Sequence, residues 1–351
     1  MRRARAPASS VGRRAGHGQR RSGFVSPPLK VWVAGARPRT LPAAVVPVFV
    51  GTAAGYWSSG TAVLTTPQLN PSCHGSLCYQ FDRHLSWINA ILALVVALAI
   101  QVGTNYINDY ADGQRGTDEQ RVGPVRLVAG GLATVREVKI AAAASFAVAA
   151  IAGFVLAARV TWWFIPLGAL CFVAGWAYTG GPRPYGYYGF GELFVFVFFG
   201  LVATAGSAYI QHAPFQWIYA GTLFSYSYDW GFALAAGVPV GFLAAALLEA
   251  NNLRDIETDA EAGKRTLAAR LGRTNAGLLY CFTLMGVALS IGVLYNYRPW
   301  ALIALFAAPL AILPLRLALS DRNGRALLPM LGSTARLQIA VGALLTIGLL
   351  V

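Results

Sequence analysis

The sequence predicts an all-α, polytopic membrane protein with about nine transmembrane helices, and three observations predict it. Of 351 residues, 56% are hydrophobic and only 12% are charged, against about 25% charged in an ordinary soluble domain. Apolar runs recur from Leu41 to the C-terminus, at or near the ~20 residues that a spanning helix needs. The runs are unbroken rather than alternating. Only helices or closed barrels satisfy their backbone in lipid, and barrel strands alternate.

The expected spans lie at about 41–58, 87–108, 138–158, 161–178, 191–210, 230–250, 276–296, 299–317 and 336–351. With nine spans, the N-terminus and the loops near 109–137, 179–190, 251–275 and 318–335 share one side. The net charge of +14 would suit nucleic acid, but its placement does not. Of 28 Lys and Arg residues, all but Arg83, Arg159 and Arg298 fall on that one side. The positive-inside rule makes it cytoplasmic, in a cell membrane, and puts the C-terminus outside. Residues 1–30, rich in Arg, Gly, Ser and Pro, read as a disordered basic tail able to touch anionic headgroups. No apolar core follows the early arginines, which disfavours a secretory signal. Residues 31–351 read as one transmembrane domain.

Cys171 and Cys281 fall inside expected spans and read as packing residues. Cys73 and Cys78 fall in the first outer loop, where a small loop-closing disulfide can persist. Two thiols beside His74 fall short of a zinc ligand set.

The acids are not scattered. Asp109, Asp112, Asp118 and Glu119 sit in one inner loop, and Asp255, Glu257, Asp259 and Glu261 in another, together eight of the 14 acidic residues. If the second span stays helical to about 112, Asn105, Asn108, Asp109 and Asp112 share a face at i, i+3, i+4 and i+7. In the second cluster Asn251 or Asn252, Asp255 and Asp259 share a face in the same way. Helix-end acids merely solvated by water are the plain alternative for any one of them. For two clusters at membrane ends, uncompensated carboxylates are costly and usually functional. Facing carboxylates repel unless a cation lies between them, and oxygen-only ligands suit magnesium, which shares its positions with water and substrate phosphates. The interleaved Arg115, Arg121, Arg126, Arg254, Lys264 and Arg265 would neutralise phosphate oxygens the metal does not reach. A magnesium diphosphate explains both signs of charge.

Five strings in order carry a resemblance. They are Ala36-Arg-Pro-Arg-Thr-Leu-Pro42, Asn108-Asp-Tyr-Ala-Asp112 with Gly116-Thr-Asp118, and Arg121-Val-Gly-Pro-Val-Arg126. Then come the run from Tyr178 to Glu192, and Asn251-Asn-Leu-Arg-Asp255 with Gly263-Lys-Arg-Thr-Leu267. Over most of residues 32–275 the chain resembles the UbiA superfamily of intramembrane prenyltransferases, and within it the MenA-type branch that acts on 1,4-dihydroxy-2-naphthoate. The resemblance implies a helical bundle around a central cavity, with the two Asp motifs facing each other at its cytoplasmic mouth.

It also implies the chemistry. Asp109, Asp112 and Asp118 would bind one Mg2+, and Asp255 and Asp259 the other, bridging the diphosphate of a polyprenyl donor. Asn105, Asn108, Asn251 and Asn252 would orient the carboxylates or coordinate weakly, and Arg121, Arg126, Arg254 and Lys264 would bind phosphate. Arg37, Arg39, Tyr178, Tyr185 and Lys264 are candidates for the aromatic substrate's carboxylate or ring, although aromatic residues at membrane ends also serve as interfacial anchors. Carbon dioxide leaves the naphthoate ring and demethylmenaquinone results. No histidine offers a base, since His17, His74, His84 and His212 lie in the tail or outer loops. Glu249 reads as a partner for Arg254 or Lys264, or as cavity lining. The Gly and Pro run at 180–191 either turns the chain or shapes the aromatic site. Three other readings compete: a transferase of this superfamily with a different aromatic substrate, a transporter with an acidic ion site, and a non-catalytic lipid-binding or scaffold protein, which would need the Asp sets to be dispensable. Transporter sites sit near the membrane midplane, whereas these acids lie at span ends beside phosphate-type cations.

Overall fold

The computed structural model describes residues 27–58, 60–65, 78–83, 85–115, 126–179, 184–218 and 228–351. Asp118, Arg121 and Cys73 lie outside the described residues, as does the segment 1–26; the side chain of Cys78 lies outside them too.

The chain is a helical bundle. A short helix α1 (Leu29–Gly35) leads through a single 3-10 turn (Pro38–Thr40) into α2 (Pro42–Ser58), and the pair is bent by 57°. Next come α3 (Trp87–Arg115), α4 (Val135–Arg159) and α5 (Phe164–Thr179). A further span is built from α6 (Gly191–Val195), a π-helical stretch (Phe196–Val202) and α7 (Ala203–Ile218). Then follow α8 (Trp230–Arg254), the short α9 (Ile256–Glu261) and α10 (Leu267–Leu294). The chain closes with a 3-10 segment (Pro299–Ala311) running into α11 (Ile312–Ala318), and with α12 (Leu328–Leu350). Seven helices are long and apolar enough to span a membrane, eight if the bent α1–α2 pair is one span. The helix Phe164–Tyr178 is apolar but shorter, and it occupies the expected 161–178 span. The protein is a multi-pass membrane protein.

The structure differs from expectation in four places. The loop between α2 and α3 holds an antiparallel hairpin, β1 (Gly60–Thr65) with β2 (Cys78–Arg83), an addition to the all-helical expectation. The helix expected to end near 210 continues to Ile218. The last helix begins at Leu328 rather than 336. Its first turns carry Ser333, Thr334 and Gln338, polar side chains that interrupt the hydropathy yet lie buried among neighbours. Thr334, for one, bonds the Tyr280 hydroxyl at 2.7 Å. Finally, the helix expected to begin near 276 starts at Leu267, with a non-helical Gly272 at φ 75° in its second turn.

Packing places α8 at the centre. Two thirds of its apolar window is buried (67%), against 22% for α3. One core cluster joins Val50 and Ala54 of α2, Ala208 of α7, Leu243 of α8, Ile291 of α10 and Leu345 of α12. Lipid offers no hydrophobic drive between helices, so close approach of backbones matters. At Gly51 and Gly55 a Cβ would collide with the carbonyls of Thr204 and Ala208, which is how α2 lies against α7.

The end of α11 is held by one side chain. Arg273 donates to the carbonyls of Leu317, Ala318, Ser320 and Arg322 at 2.7–3.0 Å. Such a cation on orphan helix-end carbonyls is stabilising. Arg273→Ala lowers stability by about 2 kcal/mol on the scale of charged hydrogen bonds, read as a lower midpoint of thermal unfolding in detergent. An unchanged midpoint would show that water replaces the cap without loss.

Candidate active site at the ends of α3 and α8

Helix α3 stays helical through Arg115, so the first motif is presented on one rigid element, as its spacing requires. The cavity beside it has a volume of about 970 Å3. Its polar end is lined by Asn108, Asp112, Arg126, Arg254, Asp259 and Lys264, and it continues between apolar walls that include Ala149, Phe164, Gly168 and Ile210. A charged end joined to a long apolar chamber is the shape an amphiphile with a charged head would fill.

The expected face of α3 divides. Asn105, Asn108 and Asp112 line the cavity, but Asp109 does not. Its carboxylate is fully buried and accepts the backbone N–H groups of Leu127 (2.9 Å) and Val128 (3.2 Å). Asp109 therefore anchors the chain returning toward α4, and that anchor sets Arg126 beside Asp112 at 3.9 Å. Asp112 is the meeting point: Oδ1 accepts from Lys264 Nζ at 2.9 Å and from the Tyr187 hydroxyl at 3.2 Å. Lys264 also lies 5.0 Å from the centre of the Tyr187 ring. The turn that delivers it uses Gly263 at φ 72°, with the Lys264 N–H closing on the Asp259 carbonyl at 2.8 Å. A residue with a Cβ is strained at that φ.

The second motif divides in the same way, for a different reason. The α8 helix breaks at Asp255 (φ −99°, ψ 9°), so the continuous face expected from Asn251 to Asp259 is interrupted. Asn251, Asn252 and Asp259 line the cavity, and Asp255 does not. Its two oxygens accept from Arg254 Nε at 2.7 Å and Nη2 at 2.6 Å, a bidentate pair almost wholly out of water. That pair leaves the Arg254 Nη1, buried and without a hydrogen-bond partner, on a side chain that lines the cavity.

At the α1–α2 bend, Asn105 donates to the Ala36 carbonyl (2.8 Å) and to Thr40 Oγ1 (3.1 Å), which also accepts from Gln101 at 3.1 Å. These bonds pin Arg37 in the left-handed region at φ 53°, the one such non-glycine among the described residues. The conformation costs on the order of 1–2 kcal/mol and directs Arg37 and Arg39 to the cavity lining. Strain of this kind clusters where a site needs it.

An aromatic wall stands on the α5–α6 side. Tyr178 meets Tyr185 edge-on at 5.5 Å, Tyr185 stacks on Phe194 at 4.0 Å, and Phe194 lies 6.0 Å from Phe198. The Tyr185 hydroxyl donates to the Ala174 carbonyl at 2.9 Å, and burial pushes its phenol above the usual range. Tyr185 thus offers a ring face, not a carboxylate ligand. Glu249 neither lines the cavity nor pairs with Arg254 or Lys264; it accepts from Thr283 at 2.8 Å. Two residues without an assigned role emerge, Tyr187 on Asp112 and Glu192, which accepts from Asn252 at 2.8 Å. Both belong to the string between Tyr178 and Glu192, where only chain turning or ring shaping was legible.

Among the described residues no three acids, histidines or cysteines converge as a ready metal site. One cavity-facing carboxylate from each motif, Asp112 and Asp259, with amide oxygens beside them, is nonetheless a donor set for magnesium, which takes one or two carboxylates and completes its shell with water and substrate phosphates.

Comparison with known proteins agrees with this geometry. The UbiA prenyltransferase family model matches residues 69–335. The 1,4-dihydroxy-2-naphthoate octaprenyltransferase of Mycobacterium tuberculosis is 45% identical over 319 residues, 91% of this chain and 96% of that one. The Escherichia coli protein of the same name is 34% identical over 327 residues, 90% and 92% of the two chains. By fold, the apo structure of a UbiA homolog from Aeropyrum pernix K1 superposes with a TM-score of 0.59 at 15% identity, covering 92% of this chain and 99% of that one. A UbiA homolog from Archaeoglobus fulgidus, solved with DMAPP and Mg2+, gives 0.52 at 16% identity over 90% and 99%. With a matched model across most of its length and the two Asn/Asp motifs meeting at one cavity end, the chain belongs to the UbiA prenyltransferase family.

Proposed function

We propose that this chain transfers a polyprenyl group from polyprenyl diphosphate to 1,4-dihydroxy-2-naphthoate, releasing carbon dioxide and diphosphate, in menaquinone biosynthesis. The observation that carries the reading is the cavity: a cluster of Asp112, Asp259, Arg126, Arg254 and Lys264 at one end of a long apolar chamber. Relatives 45% and 34% identical over nine tenths of the chain bear the name of that activity.

The chain's own groups then have assignable tasks. Arg126, Lys264 and the Nη1 of Arg254 receive diphosphate oxygens and stabilise the charge that grows as the allylic C–O bond breaks, the term that usually dominates such catalysis. Asp112 and Asp259, aided by Asn105, Asn108 and Asn251, would hold magnesium, which would supply a Lewis acid on the diphosphate. Asp118 and Arg121 belong to the same set by sequence. Asp109 and Asp255 act on this set indirectly, by fixing Arg126 and Arg254. The apolar walls exclude water from the allylic cation. Tyr178, Tyr185 and Phe194 stack the naphthalene ring, and Arg37 and Arg39 face its carboxylate. The ring carbon bearing that carboxylate forms the new C–C bond, the C–CO2 bond breaks, and its electrons return to the ring. The product is at the quinol level, which oxidation converts to demethylmenaquinone. The carboxylate leaves as carbon dioxide, so no base is needed at that carbon. The mouth faces the cytoplasm, residues 31–351 are the catalytic domain, and residues 1–30 are a basic tail at the same membrane face.

The test is product formation by purified protein in detergent with the naphthoate, a long polyprenyl diphosphate and Mg2+. Prenylated naphthoquinone appears with Mg2+ and is lost in EDTA. Folded protein that gives product only with another aromatic compound, such as 4-hydroxybenzoate, would move the assignment within the family.

A further inference from the structure

Two acids beside the cavity, Glu192 and Glu249, have no task in the reaction above. Both are buried, at 8% and 5% exposure, and on each the Oε2 atom has no hydrogen-bond partner. A buried oxygen left in that state weakens the fold, and an aliphatic side chain would avoid the penalty. Glu249 turns its other oxygen to Thr283, away from the cavity. Glu192 turns its other oxygen to the cavity lining: Oε1 accepts from Asn252 Nδ2 at 2.8 Å.

That bond decides which end of an amide the cavity meets. An asparagine side chain has a donating NH2 and an accepting carbonyl, and an ionised carboxylate only accepts. With Nδ2 committed to Glu192, the carbonyl Oδ1 is the atom left for the cavity that Asn252 lines. The surroundings specify the partner. Gly191, next to Glu192, has no side chain to separate α8 from the aromatic wall. A Cβ there would lie 3.1 Å from Leu248 of α8 and 3.3 Å from the Tyr178 ring. Asn252 is one helical turn beyond Leu248. Lys264 and the Tyr187 hydroxyl are engaged by Asp112. This part of the lining therefore offers a stacking face and a hydrogen-bond acceptor, which is what a hydroxylated aromatic ring requires.

We propose that Glu192 is a positioning residue that holds the Asn252 carbonyl oxygen toward the cavity, where it accepts a hydrogen bond from a ring hydroxyl of the aromatic substrate. The inference rests on the naphthoate reading of the reaction. It assigns Asn252 to the aromatic substrate rather than to magnesium or diphosphate.

The test uses the full chain in detergent, with KM measured separately for naphthoate and polyprenyl diphosphate, and naphthoate binding read by intrinsic tryptophan fluorescence. In Glu192→Gln the new amide can donate to Asn252 and turn its NH2 into the cavity. The naphthoate KM and its dissociation constant rise about tenfold, while the donor KM and the Mg2+ dependence hold. Adding Asn252→Asp to Glu192→Gln restores both constants to within about threefold, because a carboxylate at 252 accepts from Gln and still shows an oxygen to the cavity. A structural role for Glu192 would move both substrates' KM values together and give no such rescue. Asn252→Ala reproduces the tenfold loss if Glu192→Gln proves unstable. An unchanged naphthoate KM in both single variants, a parallel rise for the donor, or a swap that restores nothing overturns the proposal. Failure of the reaction reading is seen separately, as wild-type protein that neither binds nor prenylates the naphthoate.

Discussion

Asp112→Ala abolishes turnover, lowering kcat by about a thousandfold or more, the scale of losing a group that stabilises transition-state charge. Asp112 lies at the junction of three segments, touching Lys264 and Tyr187 directly and Arg126 at 3.9 Å. Removing it deletes the carboxylate that the first motif shows to the cavity. It also leaves Lys264 and Arg126 without the carboxylate they share, so the two cations repel and lose their fixed positions. Insertion is unaffected, because α3 keeps its apolar length from Trp87. Asp112→Asn separates the two effects, retaining the shape and the Tyr187 contact while removing the charge. Both variants reach normal levels in membranes and bind diphosphate donor weakly in the presence of Mg2+. Near-normal turnover in either would sink the mechanism.

Asp255→Ala loses activity by a different route, together with stability. Its carboxylate is buried and spent on Arg254 in a bidentate pair. Truncating one partner leaves a buried guanidinium without its counter-charge, at a cost of about 3–5 kcal/mol. Thermal unfolding in detergent moves down sharply, unlike that of Asp112→Asn. The double variant Asp255→Ala with Arg254→Leu regains most of the lost stability, since removing both charges of a buried pair is often near neutral. It does not regain activity, because Arg254 Nη1 no longer reaches the cavity. Recovery of turnover in the double variant would show that neither residue serves the diphosphate.

These two predictions separate acids that read alike in sequence. Asp109 and Asp112, three residues apart, share a helical stripe, as do Asp255 and Asp259 in outline. Periodicity places such residues to within about a quarter of the helix circumference, too coarse to say which carboxylate enters a cavity and which meets a backbone amide. The partners that decide it come from afar: Leu127 and Val128 for Asp109, Lys264 for Asp112. The break at Asp255 was equally invisible, for nothing in Asn251-Asn-Leu-Arg-Asp255 is a helix breaker. Glu192 illustrates the limit from the other side. It lies in a quoted string, yet its partner Asn252 is 60 residues away.

The sequence alone determined the class of the protein, the approximate positions of its membrane spans, the clustering of eight acids in two segments and the cation-bearing loops beside them. Those features follow from local composition, because lipid demands long apolar helices and tolerates charge only at their ends. Tertiary structure decided which of each pair of aspartates faces the cavity, where the chamber runs, how the Arg37 bend is pinned and which way the Asn252 amide points. Each of these depends on hydrogen bonds between segments far apart in the chain, and such bonds exist only once the helices have packed.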